Sequence, residues 1–308
     1  MRAAGVRAIG GQIEQLDVPA PSRPTGDEVL IEVRAAGIGN WDDLVRTGAW
    51  DVGTAPPMAL GVEAAGVIRA VGATQARFAP GDEVLVHSVP LRHQGAWAEW
   101  FLAPGDHVAA KLADLDWAVA GALPVPALTA SQVVTSLACG TNDHVLIHGA
   151  GGVTGGLLVA LAAAAGCHVV ATSSPRAAGR IHIYGASEVV DYHAADWPAQ
   201  AVRAAAGRFS AVINAVRGGA AALLPLVADA GRLATITGDP PDSERAIQVV
   251  DAYVAADGRV LEAAVAQLVA RGLTIPIAGI YGLGDVAVAL RTVVQGRAEG
   301  ACVLDLAR

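Results

Sequence analysis

The chain has 308 residues, 53% of them apolar and 16% charged, and a formal net charge of −8. Its length exceeds the roughly 250 residues at which single cores stop growing, so two domains are expected. The apolar content excludes a disordered chain, and the acidic balance argues against a nucleic acid or an anionic membrane as partner. No uninterrupted apolar run of about 18 residues occurs, so no membrane span is expected. The opening MRAAGVRAIGGQIEQLDVP has no apolar stretch of signal-peptide length, and the chain reads as cytoplasmic. Cys139, Cys167 and Cys302 stand apart in apolar surroundings without CxxC spacing, as free thiols do in a reducing compartment. The scattered histidines form no HExxH motif and read as structural.

In chain order, EVLIEVRAAGIG, GVEAAGVIRAVGA, DEVLVHSV and GAWAEWFLAP are short strands punctuated by Gly, Pro and Asp. No helix of good length is expected before about residue 118. ALPVPALTASQVVTSLA then carries helical periodicity, and strands alternate with helices. HVLIHGA is a strand, GGLLVALAAAAG a helix, HVVATSS a strand, SPRAAGRIHIYGA a helix and SEVVDY a strand. AVINAV, GRLATITG and AIQVVDAYV read as further strands. This βαβ alternation predicts a parallel, doubly wound sheet. A helix (RVLEAAVAQLVARG), a strand (IPIAGIYGL), a helix (GDVAVALRTVVQGRA) and a strand (ACVLDLA) close the chain.

The most informative stretch is HVLIHGAGGVTGGLLVALAAAAGCHVVATSS. A buried strand runs into Gly149-Ala150-Gly151-Gly152-Val153-Thr154-Gly155, and a helix follows at once. The loop fits GxxGxxG through Gly149, Gly152 and Gly155. A loop without side chains lets the backbone approach a pyrophosphate, and the helix opening at Val153 offers free N–H groups and its positive dipole end. The cofactor narrows further at the second strand. NAD enzymes place an acid at its end, where the ribose diol binds. Here it ends in Ser173 and Ser174, with Arg176 and Arg180 behind. Hydroxyls and a guanidinium suit a 2′-phosphate, so NADPH is favoured over NADH. The serines also suit the cap of a helix that starts at Pro175. The missing acid also argues against an S-adenosylmethionine methyltransferase.

Taken together, these segments resemble the medium-chain dehydrogenase/reductases, specifically their zinc-independent quinone oxidoreductase and enoyl reductase branch. The resemblance is carried by DEVLIEVRAAGIGNWDDLVRTGAW, LGVEAAGVIRAVG, GDEVLVH, GAWAEWFLAP, LPVPALTASQVV, HGAGGVTG, GASEVVDY and VVQGRAEGACVLDL. It implies an α/β protein with a Rossmann-type doubly wound parallel sheet at 118–272 and a GroES-like β-barrel domain at 1–117 rejoined by 273–308, with the site in the cleft between them. Zinc members read GxCHxD where this chain has Gly37-Ile38-Gly39-Asn40-Trp41-Asp42, and GHE where it has Gly61-Val62-Glu63. Neither Gly39 nor Val62 can donate to a metal, so no metal is expected. The branch usually carries Asn at the position of Gly39, and its closing GKVVL appears here as Gly300-Ala301-Cys302-Val303-Leu304, without the lysine. Trp50 stands where polyketide-type enoyl reductases often have a Tyr, and an indole cannot protonate an enolate.

The activity implied is hydride transfer from NADPH to a quinone or an α,β-unsaturated carbonyl, with a biosynthetic enoyl reductase as the alternative. A non-catalytic NADPH-binding protein is the reading of a different class, and turnover separates it. Asn40 is the candidate donor to the developing oxyanion, although an Asn in GIGNWDD equally suits a turn. Trp41, Trp50 and Trp97 are candidate walls of the substrate cleft. The resemblance also places Thr129 near the nicotinamide, Tyr192 near the adenine ribose, and Asn214 and Ala215 close to the cofactor. AIQVVDAYV resembles the strand through which relatives pair their sheets, so a homodimer is expected.

Overall fold

In the computed structural model, which describes residues 1–307, the chain divides into two compact units. Met1–Val125 and the stretch from Ala255 on make the first, and Pro126–Val254 makes the second. The chain opens with β1 (Arg2–Val6), β2 (Glu14–Asp17), β3 (Val29–Ile38), α1 (Asn40–Thr47), β4 (Met58–Ala59), β5 (Glu63–Val71), β6 (Glu83–His87), β7 (Trp100–Ala103), β8 (Val108–Ala110) and α2 (Trp117–Gly121). There follow α3 (Pro124–Ser136), β9 (His144–His148), α4 (Val153–Ala164), β10 (His168–Ser173), α5 (Pro175–Tyr184), β11 (Glu188–Asp191), α6 (Trp197–Ala204), β12 (Phe209–Asn214), α7 (Ala220–Leu223), β13 (Val227–Thr235) and β14 (Gln248–Asp251). The return consists of α8 (Gly258–Ala270), β15 (Ile277–Tyr281), α9 (Val286–Val294) and β16 (Ala301–Asp305).

In the first unit, β1 sits between β2 and β4 in a small antiparallel sheet. The larger sheet runs β15-β16-β3-β5-β6-β8, and β7 also pairs with β3. β3 is long enough to serve two neighbours on one edge: Val29–Glu32 pair with β7 and Ala35–Ile38 with β16. Its alternating Val29, Ile31, Val33 and Ala35 are buried, as a strand with one face in a core requires. α1 is a two-turn helix that the sequence reading did not anticipate. Its first turn is polar, but the Asp42 carboxylate accepts the Gly39 N–H at 2.8 Å, and Gly48 closes it in the left-handed region at φ 78.

The second unit is a six-stranded, wholly parallel sheet in the order β11-β10-β9-β12-β13-β14. Numbered from β9, that order is 3-2-1-4-5-6, the arrangement of the doubly wound dinucleotide-binding fold. Leu146, Val170, Phe209, Val212 and Leu233 form its core with side chains from α6 and α7. α4 is apolar all round, and eight of its residues from Gly155 to Ala162 are buried. α6 is a second helix not foreseen from the sequence. Of AIQVVDAYV only Gln248–Asp251 forms strand, and that strand is one edge of the sheet.

The boundaries expected at 118 and 272 are corrected to Val125/Pro126 and Val254/Ala255. α2 packs on β3 and β5, and the Val125 N–H donates to the Glu63 carboxylate at 2.7 Å. α8 belongs to the first unit because it packs against β8 and the turn before it. Asp257 caps α8 through the N–H groups of Arg259 and Val260 at 2.9 Å. Arg77 links the β8 backbone, through Val108 O at 2.7 Å, to Glu262 on the helix.

Candidate cofactor and active site

The glycine loop leaves β9 at the carboxyl end of the parallel sheet, where the strand order reverses between β10 and β12. Its glycines do different work. Gly149 has φ +87, and a Cβ there would stand 2.7 Å from the Val216 side chain. A Cβ on Gly155 would lie 2.2 Å from the Gly149 carbonyl, so that glycine lets α4 sit down on the loop. Gly151 and Gly152 have no such steric reason, since nothing in the fold comes nearer than 3.6 Å to a Cβ on either. The room they leave is what a pyrophosphate needs. Gly152 is the N-cap of α4 and carries no side-chain cap, so the first N–H groups of the helix from Val153 on are not spent on a cap. The residues therefore fit a dinucleotide.

Two residues the sequence reading passed over hold this loop. Thr172, fully buried on β10, accepts the Gly149 N–H at 3.1 Å and lies 2.8 Å from His148 Nδ1. The His148 ring stacks on Trp197, with centroids 4.9 Å apart and planes 9° off parallel. Burial holds the His148 imidazole below its ordinary pKa. A threonine inside VVATSS gave no signal beyond strand propensity.

At the end of β10 there is no acid. Ser173 is buried and donates to the Ser174 carbonyl at 3.0 Å. Ser174 is the N-cap of α5 without a side-chain cap bond. Arg176 is exposed on the first turn of α5. Arg180 instead turns to the glycine loop: its Nη2 donates to the Gly151 carbonyl at 2.7 Å and its guanidinium lies 5.5 Å from the Tyr184 ring centroid. Tyr192 is exposed after β11. Thr129 on α3 lines a small cavity of about 190 Å³ with Gln132, Val250, Asp251 and Tyr253. A larger cavity, of about 430 Å³, lies by Arg46 and Arg291 in the first unit and holds none of the expected site residues.

The Asn214 side chain, expected close to the cofactor, is hydrogen-bonded within the fold. It is fully buried, its Nδ2 faces Val216 O, Thr235 Oγ1 and Thr237 Oγ1 at 2.9–3.1 Å, and its Oδ1 accepts the Val216 N–H at 3.1 Å. It fixes the turn after β12 and has no polar atom to offer a ligand. Ala215 beside it is bonded through its N–H to His148 O at 2.9 Å.

In the first unit Asn40 is exposed at the head of α1, and Trp41 and Trp50 are half-buried. Trp97 does not line a cleft: it is 0% exposed and its indole N–H donates to Gly37 O at 2.9 Å. A large aromatic with its one polar atom satisfied inside is a core residue. Around it lies a buried polar cluster. Glu63 stands opposite His87 across the β5–β6 pair, and Asp42 is fully buried on α1 with Oδ1 unpartnered. Burial pushes the Asp42 carboxyl up to about 8, only partly offset by the N–H groups of Gly39 and Gly61. Burial, partly offset by the Val125 N–H and reinforced by the Asp42 charge, raises Glu63 well above the carboxylate range. Burial lowers His87 to about 4. With no buried cation beside them among the described residues, burial disfavours the charged form of each of the three.

These features define a two-unit protein built to bind a dinucleotide. The alcohol dehydrogenase GroES-like domain family matches residues 25–114, and the family described as zinc-binding dehydrogenase matches residues 184–304. A quinone oxidoreductase of Lama guanicoe is 34% identical over 198 residues, which cover 62% of this chain and 58% of that protein. Alignments to five such relatives span 54–60% of their length. Among solved structures, an NAD-dependent alcohol dehydrogenase superimposes with TM-score 0.87 at 27% identity, covering 99% of this chain and 100% of that one. A mycobacterial protein complexed with NADPH gives TM-score 0.85 at 25% identity, over 99% and 100% of the two chains. The two family matches together span more than half of the chain, which belongs to the medium-chain dehydrogenase/reductase superfamily and is similar to its quinone oxidoreductases.

The zinc in the second family's description does not suit the residues present. Gly39 and Val62 offer no donor, and a Cβ on Gly39 would lie 2.1 Å from the Trp41 indole, which fills the space. Asp42 and Glu63 accept backbone N–H bonds instead. No group of three or more candidate ligands occurs among the described residues. No helix among them is long and apolar enough to cross a membrane.

Proposed function

We propose that the protein is an NADPH-dependent reductase that delivers hydride to a quinone or an α,β-unsaturated carbonyl without zinc. The observation that carries this reading is the glycine loop, in which nothing in the fold comes nearer than 3.6 Å to a Cβ on Gly151 or Gly152 at the head of α4. When bound there, NADPH supplies the hydride and its electron pair. The chain's own residues do the rest. The N–H groups opening α4 hold the pyrophosphate, and the acid-free end of β10 accepts the 2′-phosphate. The exposed Asn40 carboxamide is the side-chain donor for the oxyanion that hydride addition creates on the acceptor. Burial disfavours the charged forms of Asp42 and Glu63 inside the same unit.

Quinone and enone acceptors share this demand, and the quinone oxidoreductase relatives favour the quinone. The test is oxidation of NADPH by a panel of simple quinones, enones and enoyl thioesters, with Asn40→Ala alongside. Turnover of one acceptor class, reduced about tenfold or more in kcat by the substitution, is the expected result. Tight NADPH binding with no acceptor consumed would favour the non-catalytic reading. We also read the chain as a cytoplasmic homodimer joined edge to edge at β14, the strand that ends the sheet. A monomer in light scattering would refute that pairing.

A further inference from the structure

At the carboxyl edge of the parallel sheet, β11 runs into Asp191-Tyr192-His193. Parallel pairing sets Asp191 directly beside Ser173, the last residue of β10. His193 is fixed to one atom of that carboxylate twice. Its backbone N–H donates to Asp191 Oδ1 at 3.0 Å, and its Nδ1 lies 2.7 Å from the same oxygen. The ring also packs 4.1 Å from that of Tyr192. Its Nε2 has no partner among the described residues.

We propose that His193, oriented by Asp191, is a further cofactor-specificity residue that binds the 2′-phosphate of the adenine ribose. The inference rests on the NADPH reading above and adds to it the residue that meets the phosphate.

The placement follows from the sheet. In a doubly wound fold the ribose of the adenosine half lies beyond the end of the strand after the glycine loop. Here that strand is β10, and its outer neighbour is β11. Of the basic side chains nearby in sequence, Arg180 is committed to Gly151 O and packs over Tyr184. Arg176 lies on α5, beyond Ser174. The acid missing from β10 is in effect found one strand over, and a bare carboxylate there would repel a phosphate dianion. His193 removes that difficulty. Two hydrogen bonds from one residue hold the Asp191 carboxyl below the usual carboxylate range. With a proton on each ring nitrogen, the imidazole and the carboxylate form a neutral pair with one N–H, at Nε2, left to donate outward to a phosphate. A carboxylate behind the ring also sets its orientation, as the supporting acid does for histidines that bind other ligands. His193 is exposed, so its replacement leaves the core intact.

Dissociation constants for NADPH and NADH, measured by fluorescence titration on the full chain, on His193→Ala and on His193→Arg, test this. The expected result is that His193→Ala weakens NADPH by about tenfold or more with NADH within about twofold, and that His193→Arg keeps the preference. Equal weakening of both nucleotides, or of neither, overturns the assignment. If the unaltered protein prefers NADPH and His193→Ala keeps that preference, His193 is wrong and the cofactor reading stands. If the unaltered protein binds NADH more tightly, both fall.

Discussion

Replacing Asp42 by asparagine removes a carboxyl that is buried without a cation and preserves its shape. Its pKa in the folded chain is about 8 against an ordinary 3.8. Between those values the folded state holds a proton that the unfolded chain has released. Stability from this group is therefore intact below about pH 4 and is lost as pH rises towards 8, by about 1.4 kcal/mol per pH unit. The whole shift sets an upper bound of roughly 6 kcal/mol. Asparagine mimics the protonated acid: its carbonyl can accept the Gly39 N–H that Asp42 accepts at 2.8 Å. Urea denaturation of both proteins at pH 5.5 and pH 7.5 reads the effect, together with the smaller part of the Glu63 shift that the Asp42 charge causes. The asparagine variant should exceed the parent by roughly 2 kcal/mol at pH 5.5 and by roughly 5 kcal/mol at pH 7.5, a gain of roughly 2–3 kcal/mol between the two. A difference that stays constant to within about 0.5 kcal/mol would mean that Asp42 titrates normally and that burial does not disfavour its charged form.

Two glycine substitutions should separate folding from binding. Gly152→Ala, with open space around its Cβ, should leave stability within about 0.5 kcal/mol of the parent and weaken nucleotide binding about tenfold or more, read by denaturation and fluorescence titration. Gly155→Ala, driven into the Gly149 carbonyl, should cost both binding and about 1–3 kcal/mol of stability. Trp97→Phe should lower stability by about 1–3 kcal/mol, through the Gly37 carbonyl it leaves unpaired, with KM for acceptor unchanged; a shifted KM would return Trp97 to the substrate site. Thr172→Val should cost about 1–3 kcal/mol in a thermal melt by orphaning the Gly149 N–H.

Much of the second unit was legible because its sequence obeys local rules. A strand, a loop of glycines and an apolar helix must be adjacent for the backbone to reach a pyrophosphate, and each is visible in HVLIHGAGGVTGGLLVALAAAAG. The parts that were not legible depend on partners distant in sequence. α8 shows an apolar face, but only the fold reveals that this face meets β8 in the first unit. α1 starts after a glycine, and the acid that bonds its first turn, Asp42, is buried, which nothing in GIGNWDD announces. Trp97 and Asn214 have the chemistry of site residues, yet their polar atoms are consumed by Gly37, Val216, Thr235 and Thr237. Nothing in the local sequence reports that expenditure. The acid at Asp191 escaped notice because it lies on the strand beside the one where a nucleotide acid is usually sought.

The most direct test of the account is to follow the hydride itself, using NADPH deuterated at the transferable position of the nicotinamide and an enone acceptor, whose new carbon–deuterium bond keeps a label that the hydroxyl of a quinol would exchange with water. Deuterium in the reduced product, at a rate unaffected by a zinc chelator, is the outcome expected of a metal-independent reductase. Reduction without label in the product, or a rate that a chelator abolishes and zinc restores, would contradict it.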